Sequence, residues 1–187
     1  MNDIALAKAQ LRSKILAERS NRISSEVTEI ALTQLLLELV ERSKPTRVAT
    51  YISFGSEPST QLFINELITH KIEVIVPKVS GTDLKWFRFD GRSTVYSALG
   101  MQEPDIAALE EVTLLPTDLM IIPALAVDRM GNRLGRGKGF FDRALAGMSN
   151  LVFAVCFEAE YIETLPSEEH DRKVQGLVTE LAIHDLN

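Results

Sequence analysis

The amino-acid sequence predicts an α/β protein with a mostly parallel sheet, and three observations support this class. The chain has 187 residues, 45% of them hydrophobic and 25% charged, which is typical of one globular domain with a well-buried core. Short apolar runs typical of buried strands alternate with amphipathic segments typical of helices, which favours a sheet covered on both faces. A glycine-rich basic loop lies between a strand and a helix, where such sheets bind ligands. We therefore expect a single domain over residues 1–187.

Two amphipathic helices open the chain. Apolar residues recur at helical spacing from about residue 3 to 19, and again from Val27 until Pro45 ends the pattern. Ser24 and Ser25 stand where a residue that caps the second helix is expected. The start of the chain is therefore predicted to be helical.

The rest of the chain alternates between strands and helices. Continuous or alternating apolar residues predict strands over 47–53, 72–77, 84–89, 118–127 and 151–157. Helices are predicted over 60–70 and 139–148, and a turn-rich stretch over 54–59. Residues 91–117 show no clear period. The turn-rich stretch and the glycine-rich loop both follow strands, so both are predicted to lie at the ligand-binding edge of the sheet.

The glycine-rich loop is built to hold an anion. Residues 131–143 contain four glycines and four cations, and residues 128–143 carry five cations against two aspartates in a chain whose formal net charge is −6. Glycine lets backbone amides approach a ligand closely, while Arg and Lys form charge-assisted hydrogen bonds with phosphate or carboxylate oxygens. A polyanionic small molecule is the expected ligand.

The spacing of this loop excludes two common phosphate-binding motifs. A Walker A loop requires Gly-Lys-Ser/Thr, but Lys138 is followed by Gly139, and the position five before Gly137 is Asn132. The dinucleotide motif requires G-x-G-x-x-G, but Gly135, Gly137 and Gly139 alternate. The loop is therefore neither a P-loop nor a dinucleotide fingerprint.

Two interpretations of the loop remain. It can be a solvated, flexible basic turn. Alternatively, Phe140 and Phe141 cover a planar ring, and Asp142 supplies the carboxylate that a phosphate-bound Mg²⁺ requires.

Bulk properties exclude several other classes. The acidic net charge argues against a nucleic-acid partner. No segment approaches the roughly 20 apolar residues of a membrane span, and the N-terminus lacks the apolar core of a signal peptide, so we expect a cytoplasmic protein. Cys156 lies in an apolar run, which predicts a buried structural thiol.

Five motifs resemble those of the 5-formyltetrahydrofolate cyclo-ligase family, also called methenyltetrahydrofolate synthetases. The loop over 132–143, Asn-Arg-Leu-Gly-Arg-Gly-Lys-Gly-Phe-Phe-Asp-Arg, is similar to the family's most specific signature. The others are Lys-x-x-Leu-Arg over 8–12, the strand-and-glutamate element over 51–57 with Thr60, Gln-Glu-Pro over 102–104, and His170-Asp171 with Val174. The five motifs occur along this chain in the same order as in the family, and together they span nearly the whole chain.

The resemblance implies a three-layer α/β/α, Rossmann-like domain and a specific reaction. The expected activity converts 5-formyltetrahydrofolate, which can be polyglutamylated, to 5,10-methenyltetrahydrofolate with release of ADP and phosphate. ATP is the expected co-substrate, Mg²⁺ the expected metal, and a monomer the expected state. In this family the formyl oxygen is thought to attack the γ-phosphate, after which N10 closes the ring and phosphate leaves. Cations, backbone amides and a metal suit such phosphoryl transfer.

The resemblance also implies site residues. The catalytic set is Arg12, Arg136 and Lys138. The ATP-binding set is Lys8, Ala9, Gln10, Leu11, Arg12, Arg133, Leu134, Gly135, Arg136, Gly137, Lys138, Gly139, Phe140 and Phe141. The folate-binding set is Ile52, Glu57, Arg136, Gly137, Lys138, Gly139 and Phe140, with Glu57 as acceptor for the pterin NH groups. Asp142 and Asp171 would hold Mg²⁺.

Some of these residues also have plainer interpretations. Lys8 and Arg12, four positions apart on one helix face, can be an ordinary exposed surface, and Glu57 can be a turn residue. His170 beside Asp171 can be a general acid/base or a structural residue. Trp86 can stack on the folate or pack in the core.

The sequence departs from the family pattern at two places. Phe140-Phe141 replaces the usual Tyr-Tyr, which keeps ring stacking but removes two hydroxyls, and Gln175 stands where an acidic residue is common. Because these hydroxyls are missing, a folate- or nucleotide-binding module that has lost catalytic turnover is one alternative. A phosphosugar isomerase or an acyl-transfer enzyme of the same layered fold is the other alternative.

Overall fold

The structure is a computed structural model that describes residues 3–22, 25–97, 100, 102–168 and 171–186. The α-helices of the described chain are α1 (Asp3–Ser20), α2 (Glu26–Ser43), α3 (Gln61–Thr69) and α4 (Phe140–Ala144). All four predicted helices are confirmed, but α4 ends earlier than residue 148 because the chain turns there, with Gly147 at a φ of 77°. Ser25 is the N-cap of α2 without a side-chain capping bond, and Ser24 lies outside the described residues.

Among the described residues, eight strands form the main sheet, in the order β13-β12-β10-β7-β1-β2-β3-β6. The strands of the described chain are β1 (Arg47–Ala49), β2 (Glu73–Ser80), β3 (Asp83–Phe89), β4 (Thr94–Tyr96), β5 (Gln102–Pro104), β6 (Glu111–Val112), β7 (Leu119–Pro123), β8 (Ala126–Asp128), β9 (Arg133–Leu134), β10 (Leu151–Val155), β11 (Tyr161–Ile162), β12 (Gly176–Val178) and β13 (Ile183–Asp185). The central five, β12, β10, β7, β1 and β2, are parallel, and the outer strands pair antiparallel. The predicted mostly parallel α/β sheet is confirmed.

The two faces of the sheet are covered by different structures. On one face α2 and α3 bury Leu36, Leu39, Phe63 and Leu67 against the sheet. The other face is covered by α4, which contributes Ala144 beside the buried Leu145, and by irregular chain. Two layers therefore enclose the sheet, as the α/β/α prediction requires, although the second layer is mostly non-helical.

The predicted strand 118–127 is two strands in different sheets. After Pro123 the backbone leaves β7, and Leu125 donates its N–H to Leu134 O at 2.7 Å. The apolar run continues because β8 is buried in a small three-stranded sheet, ordered β11-β8-β9, against which Ile15 of α1 packs. Hydrophobicity alone does not separate burial in one sheet from burial in the next. This switch brings the glycine-rich loop to the end of the main sheet.

Two further differences concern the strand over 47–53 and residues 91–117. Regular pairing of β1 ends at Ala49, after which Tyr51 and Thr60 hold the chain in an irregular path through a Thr60 Oγ1 bond to Tyr51 O at 2.6 Å. Residues 91–117 contain the β4–β5 hairpin and β6, which are too short to show a period.

The core predictions for single residues are confirmed. Cys156 is fully buried, and burial raises the pKa of its thiol well above the ordinary value. Trp86 packs in the core beneath α4. Within the part of the chain described, no helix combines the length and apolar character needed to cross a bilayer.

Candidate functional site

One cavity of about 630 Å³ lies at the carboxyl ends of the parallel strands, and its volume is typical of small-molecule sites. Its walls include Ile52 after β1, Pro77 near the end of β2 and Pro123 at the end of β7. Side chains of α1, the β4–β5 hairpin and the glycine-rich loop close it. The ligand-binding edge predicted from the strand order is therefore a real concavity.

The cavity collects most of the predicted site residues. Those that line it are Lys8, Arg12, Ile52, Glu57, Arg133, Leu134, Gly135, Arg136, Gly137, Lys138, Gly139, Phe140, Phe141, Asp142 and Asp171. Three others are not in its wall: Ala9 and Gln10 are exposed, and Leu11 packs beside Ile15. His170 lies outside the described residues.

Asp128 holds the start of the glycine-rich loop. Its buried carboxylate accepts N–H bonds from Met130 and Asn132 at Oδ1, and from the Asn132 amide and Leu165 N–H at Oδ2, all at 2.8–2.9 Å. Gly131 has a φ of 79°, and a Cβ there would lie 2.6 Å from Val174 O. The loop therefore begins from a rigid base. Asp128 had no sequence signal beyond its place at the end of an apolar run.

Arg133 is nearly buried in the cavity wall, with 3% of its side chain exposed. It donates from Nη2 to Asp142 Oδ1 at 2.8 Å and from Nη1 to Pro123 O at 3.2 Å. Its Nε is buried and has no hydrogen-bond partner within the described residues. A buried N–H without an acceptor is unfavourable, and the positive charge of the guanidinium in this wall suits an anionic ligand.

The two cations of α1 face the cavity from one side of the helix, as their spacing predicts. Lys8 donates to Asp171 Oδ2 at 2.6 Å and to Glu168 Oε2 at 3.0 Å. Partial burial lowers the pKa of Lys8, but these carboxylates outweigh it and raise the pKa overall. Arg12 donates from Nε to Gly135 O at 2.9 Å. The helix is thereby joined to the loop and to the segment around Asp171.

Glu57 and Arg136 meet across the cavity. Arg136 Nε donates to Glu57 Oε1 at 3.0 Å, and the guanidinium lies 4.4 Å from the centre of the Phe54 ring. The Glu57 side chain is 5% exposed and also accepts the Phe54 N–H at Oε2. Burial raises the pKa of Glu57 above its ordinary 4.5, although Arg136 and the Phe54 N–H act to lower it. The site therefore holds a buried carboxylate beside an aromatic ring.

The paired aromatic residues have different surroundings. Phe141 contacts Trp86 edge to face at 6.4 Å between ring centres, and Phe140 lies 5.5 Å from the Arg143 guanidinium. Both line the cavity, whereas Trp86 supports Phe141 from the core.

Asp142 and Asp171 form a donor set compatible with Mg²⁺. They come from separate segments, line the same cavity, and are each bonded to a cation, Arg133 and Lys8 respectively. No cluster of three or more metal-ligating side chains occurs in the described ranges. Mg²⁺ takes one or two carboxylates together with phosphate oxygens and water, so two aspartates suffice beside a bound phosphate.

Two ion pairs that involve residues of the cavity wall could not be predicted from the sequence. Arg19 forms a buried pair with Glu160, and Lys78 pairs with Glu103 of the β4–β5 hairpin. Their partners lie 141 and 25 positions away. Neither helical nor strand periodicity relates residues at such distances.

Comparison with known proteins identifies the family of this chain. The model of the 5-formyltetrahydrofolate cyclo-ligase family matches residues 5–180. The chain is 32% identical over 184 residues to 5-formyltetrahydrofolate cyclo-ligase of Mycolicibacterium smegmatis, covering 92% of this chain and 93% of the relative. It is 28% identical over 173 residues to the protein of that name from Haemophilus influenzae, covering 88% and 92%.

Solved structures show the same fold. The NMR structure of Aquifex aeolicus 5,10-methenyltetrahydrofolate synthetase superposes with a TM-score of 0.83 at 31% identity, covering 96% of this chain and 93% of that one. A Mycoplasma pneumoniae 5,10-methenyltetrahydrofolate synthetase superposes with a TM-score of 0.73 at 19% identity, covering 92% and 98%, and supports the fold alone. With the family match over residues 5–180, the chain belongs to the 5-formyltetrahydrofolate cyclo-ligase family.

Proposed function

We propose that this protein is an ATP- and Mg²⁺-dependent ligase that converts 5-formyltetrahydrofolate to 5,10-methenyltetrahydrofolate, releasing ADP and phosphate. One observation carries the proposal: a single cavity combines a cationic, glycine-rich wall with a buried carboxylate beside an aromatic ring. The first wall suits a triphosphate, and the second suits a pterin. The reaction needs both ligands in contact.

The nucleotide would lie against Lys8, Arg12, Arg133 and Lys138. Arg133 Nε is a buried donor that lacks an acceptor, and the Lys138 side chain is exposed, with no hydrogen bond or ion pair in the described chain. Lys138 is therefore available to phosphate oxygens, and the Arg133 guanidinium contributes positive charge to the same wall. Asp142 and Asp171 would hold Mg²⁺, which neutralises phosphate charge when bound.

The folate would enter between Ile52 and Glu57 on one side and the loop on the other. Ionised Glu57 can accept hydrogen bonds from the NH groups of the pterin, and its burial makes those bonds stronger than they would be in water. This orientation would present the formyl group to the nucleotide.

The chemistry has two steps. The formyl oxygen attacks the γ-phosphorus, the bond to the bridging oxygen breaks, and ADP leaves with a phosphorylated imidate remaining. N10 then attacks the formyl carbon and loses its proton to water, and phosphate departs with the electron pair of the breaking C–O bond. Arg12, Arg136 and Lys138 would stabilise the charge that develops on the transferred group. The protein's part is positioning and charge neutralisation.

Purified protein given 5-formyltetrahydrofolate and MgATP is expected to produce the near-ultraviolet absorbance of the methenyl product. Arg136→Ala and Asp142→Asn are each expected to lose at least about a hundredfold in turnover without unfolding, because both lie at the cavity surface and an asparagine keeps an oxygen acceptor for Arg133. Arg129→Ala is the matched control, since Arg129 pairs with Glu163 away from the cavity. Full activity in both cavity variants would refute the assignment of the loop. Saturable folate binding without product would instead favour a binding module.

The proposal extends to the setting of the reaction. The acidic net charge of −6 supports a small-molecule enzyme without a nucleic-acid partner. We place it in the cytoplasm as a monomer without a membrane partner, acting on a folate that can carry a polyglutamate tail.

A further inference from the structure

Three side chains in the cavity wall form an arrangement that the proposed reaction does not explain. The Arg136 guanidinium lies over the Phe54 ring at 4.4 Å and donates one N–H to Glu57. Arg136 is 37% exposed, whereas Glu57 is 5% exposed. Arg136, a loop cation proposed to act on the phosphates, is thus held against Phe54 and Glu57 on the side of the cavity proposed to bind folate.

Stability does not account for this contact. An ion pair with one exposed partner contributes little, and burial of the Glu57 carboxylate is itself unfavourable, as its raised pKa shows. Arg136 also uses a single N–H of its five donors on Glu57. The contact is therefore weak enough for a better ligand to replace it.

The guanidinium and the pterin share one chemical feature. Both are planar groups in which adjacent N–H donors surround one carbon atom, and the 2-amino-pyrimidinone edge of a pterin offers two such donors side by side. A pterin can therefore stack on Phe54 and bond Glu57 as Arg136 does, with a larger ring and one more hydrogen bond. The two ligands compete for one place.

We propose that Phe54 and Glu57 form the pterin subsite, that the Arg136 side chain occupies this subsite in the free protein, and that folate binding displaces Arg136 toward the nucleotide. The inference rests on the proposed folate substrate. Phe54 thereby becomes a substrate-binding residue, and Arg136 an internal competitor that is released when it is needed for phosphoryl transfer.

The loop provides the freedom that this exchange requires. Gly135 and Gly137 flank Arg136, and Gly137 has a φ of 94°. A Cβ at Gly137 would lie 3.4 Å from the Arg12 guanidinium carbon, so the backbone beside Arg136 already adjoins a cation expected to bind phosphate. A side-chain swing would carry Arg136 between the two walls.

With an internal competitor, the apparent association constant for folate equals the intrinsic constant multiplied by the fraction of molecules in which the subsite is open. A cation–π contact and a partly exposed ion pair together would hold the subsite closed in roughly nine of ten molecules. Arg136→Ala is therefore expected to bind 5-formyltetrahydrofolate about tenfold more tightly than the wild type without nucleotide. If Arg136 only contacted folate, its replacement by alanine would weaken folate binding instead.

The decisive experiment is calorimetric titration of the whole protein with 5-formyltetrahydrofolate at pH 8, because a high pH favours the ionised form of a carboxyl group whose pKa is raised by burial. Tighter binding by Arg136→Ala, with Arg129→Ala unchanged, supports the exchange, and unchanged or weaker binding overturns it. Arg136→Gln repeats the comparison if the alanine variant fails to fold.

A second variant tests the role of Phe54. In the Arg136→Ala background, Phe54→Leu is expected to weaken folate binding about tenfold, because no internal competitor remains and only the stacking surface is lost. Equal folate binding by Arg136→Ala and by the Arg136→Ala, Phe54→Leu double variant would show that Phe54 contacts only Arg136 and not folate. Product formation by the wild type is measured separately, so a failed exchange and a failed ligase assignment give different results.

Discussion

The buried pair between Arg19 and Glu160 offers the sharpest test of how α1 is held on the cavity. Arg19 donates from Nε and Nη2 to the two Glu160 oxygens and from Nη2 to Ala124 O, each at 2.7 Å. The side chains are 1% and 4% exposed. The C-terminal end of α1 is thereby tied to the turn between β7 and β8, and this anchor orients Lys8 and Arg12.

Arg19→Met leaves the Glu160 carboxylate buried without its cation. Breaking a buried pair in this way costs about 3–5 kcal/mol, which corresponds to a fall in melting temperature of roughly 10 °C for a chain of this length. The surface pair of Arg42 with Asp185 is the matched control, because it is also bidentate, at 2.8 and 2.9 Å, but 47% and 62% exposed. Arg42→Met is expected to cost less than about 1 kcal/mol.

Equilibrium urea unfolding measures both losses, with the fluorescence of the single, buried Trp86 as the signal. Adding Glu160→Gln to Arg19→Met should recover at least about 2 kcal/mol, because a neutral amide is cheaper to bury than an unpaired carboxylate. Equal losses for Arg19→Met and Arg42→Met, or no recovery in the double variant, would refute the reasoning.

Three other predictions follow from the site. Glu57→Gln should unfold at an equal or higher urea concentration than the wild type at pH 8, because the raised pKa of Glu57 in the folded state means that its ionisation costs stability as the pH rises through that pKa. The variant should also bind folate at least about tenfold more weakly. A clear loss of stability would contradict this. Asp128→Asn should lose about 3 kcal/mol in urea unfolding, because an amide NH₂ would face two N–H donors of the loop base; a loss below about 1 kcal/mol would argue against that role. Gly131→Ala should lose at least about 2 kcal/mol, whereas Gly81→Ala, with φ of 63° but open space, should lose about 1 kcal/mol. Equal losses at the two glycines would remove the clash with Val174 O as the cause.

Local sequence patterns predicted the elements and the edge of the sheet where ligands bind. Lys8 and Arg12 share a helix face because four residues make about one turn, and apolar runs marked the central strands because those strands are buried on both faces. Composition alone located the glycine-rich basic loop that lines the cavity. The same reasoning was wrong about 118–127, since an apolar run stays buried when it passes from one sheet to another.

Contacts between distant segments arise only when the layers pack together. Arg136 reaches Glu57 across 79 positions, Lys8 reaches Asp171 across 163, and Arg19 reaches Glu160 across 141. No period links such residues, because each pairing depends on how the strand order and the sheet switch after Pro123 bring loops together. Local chemistry in the sequence therefore determines the helices, the strands and the basic glycine-rich loop, while tertiary packing determines which carboxylate pairs with which cation.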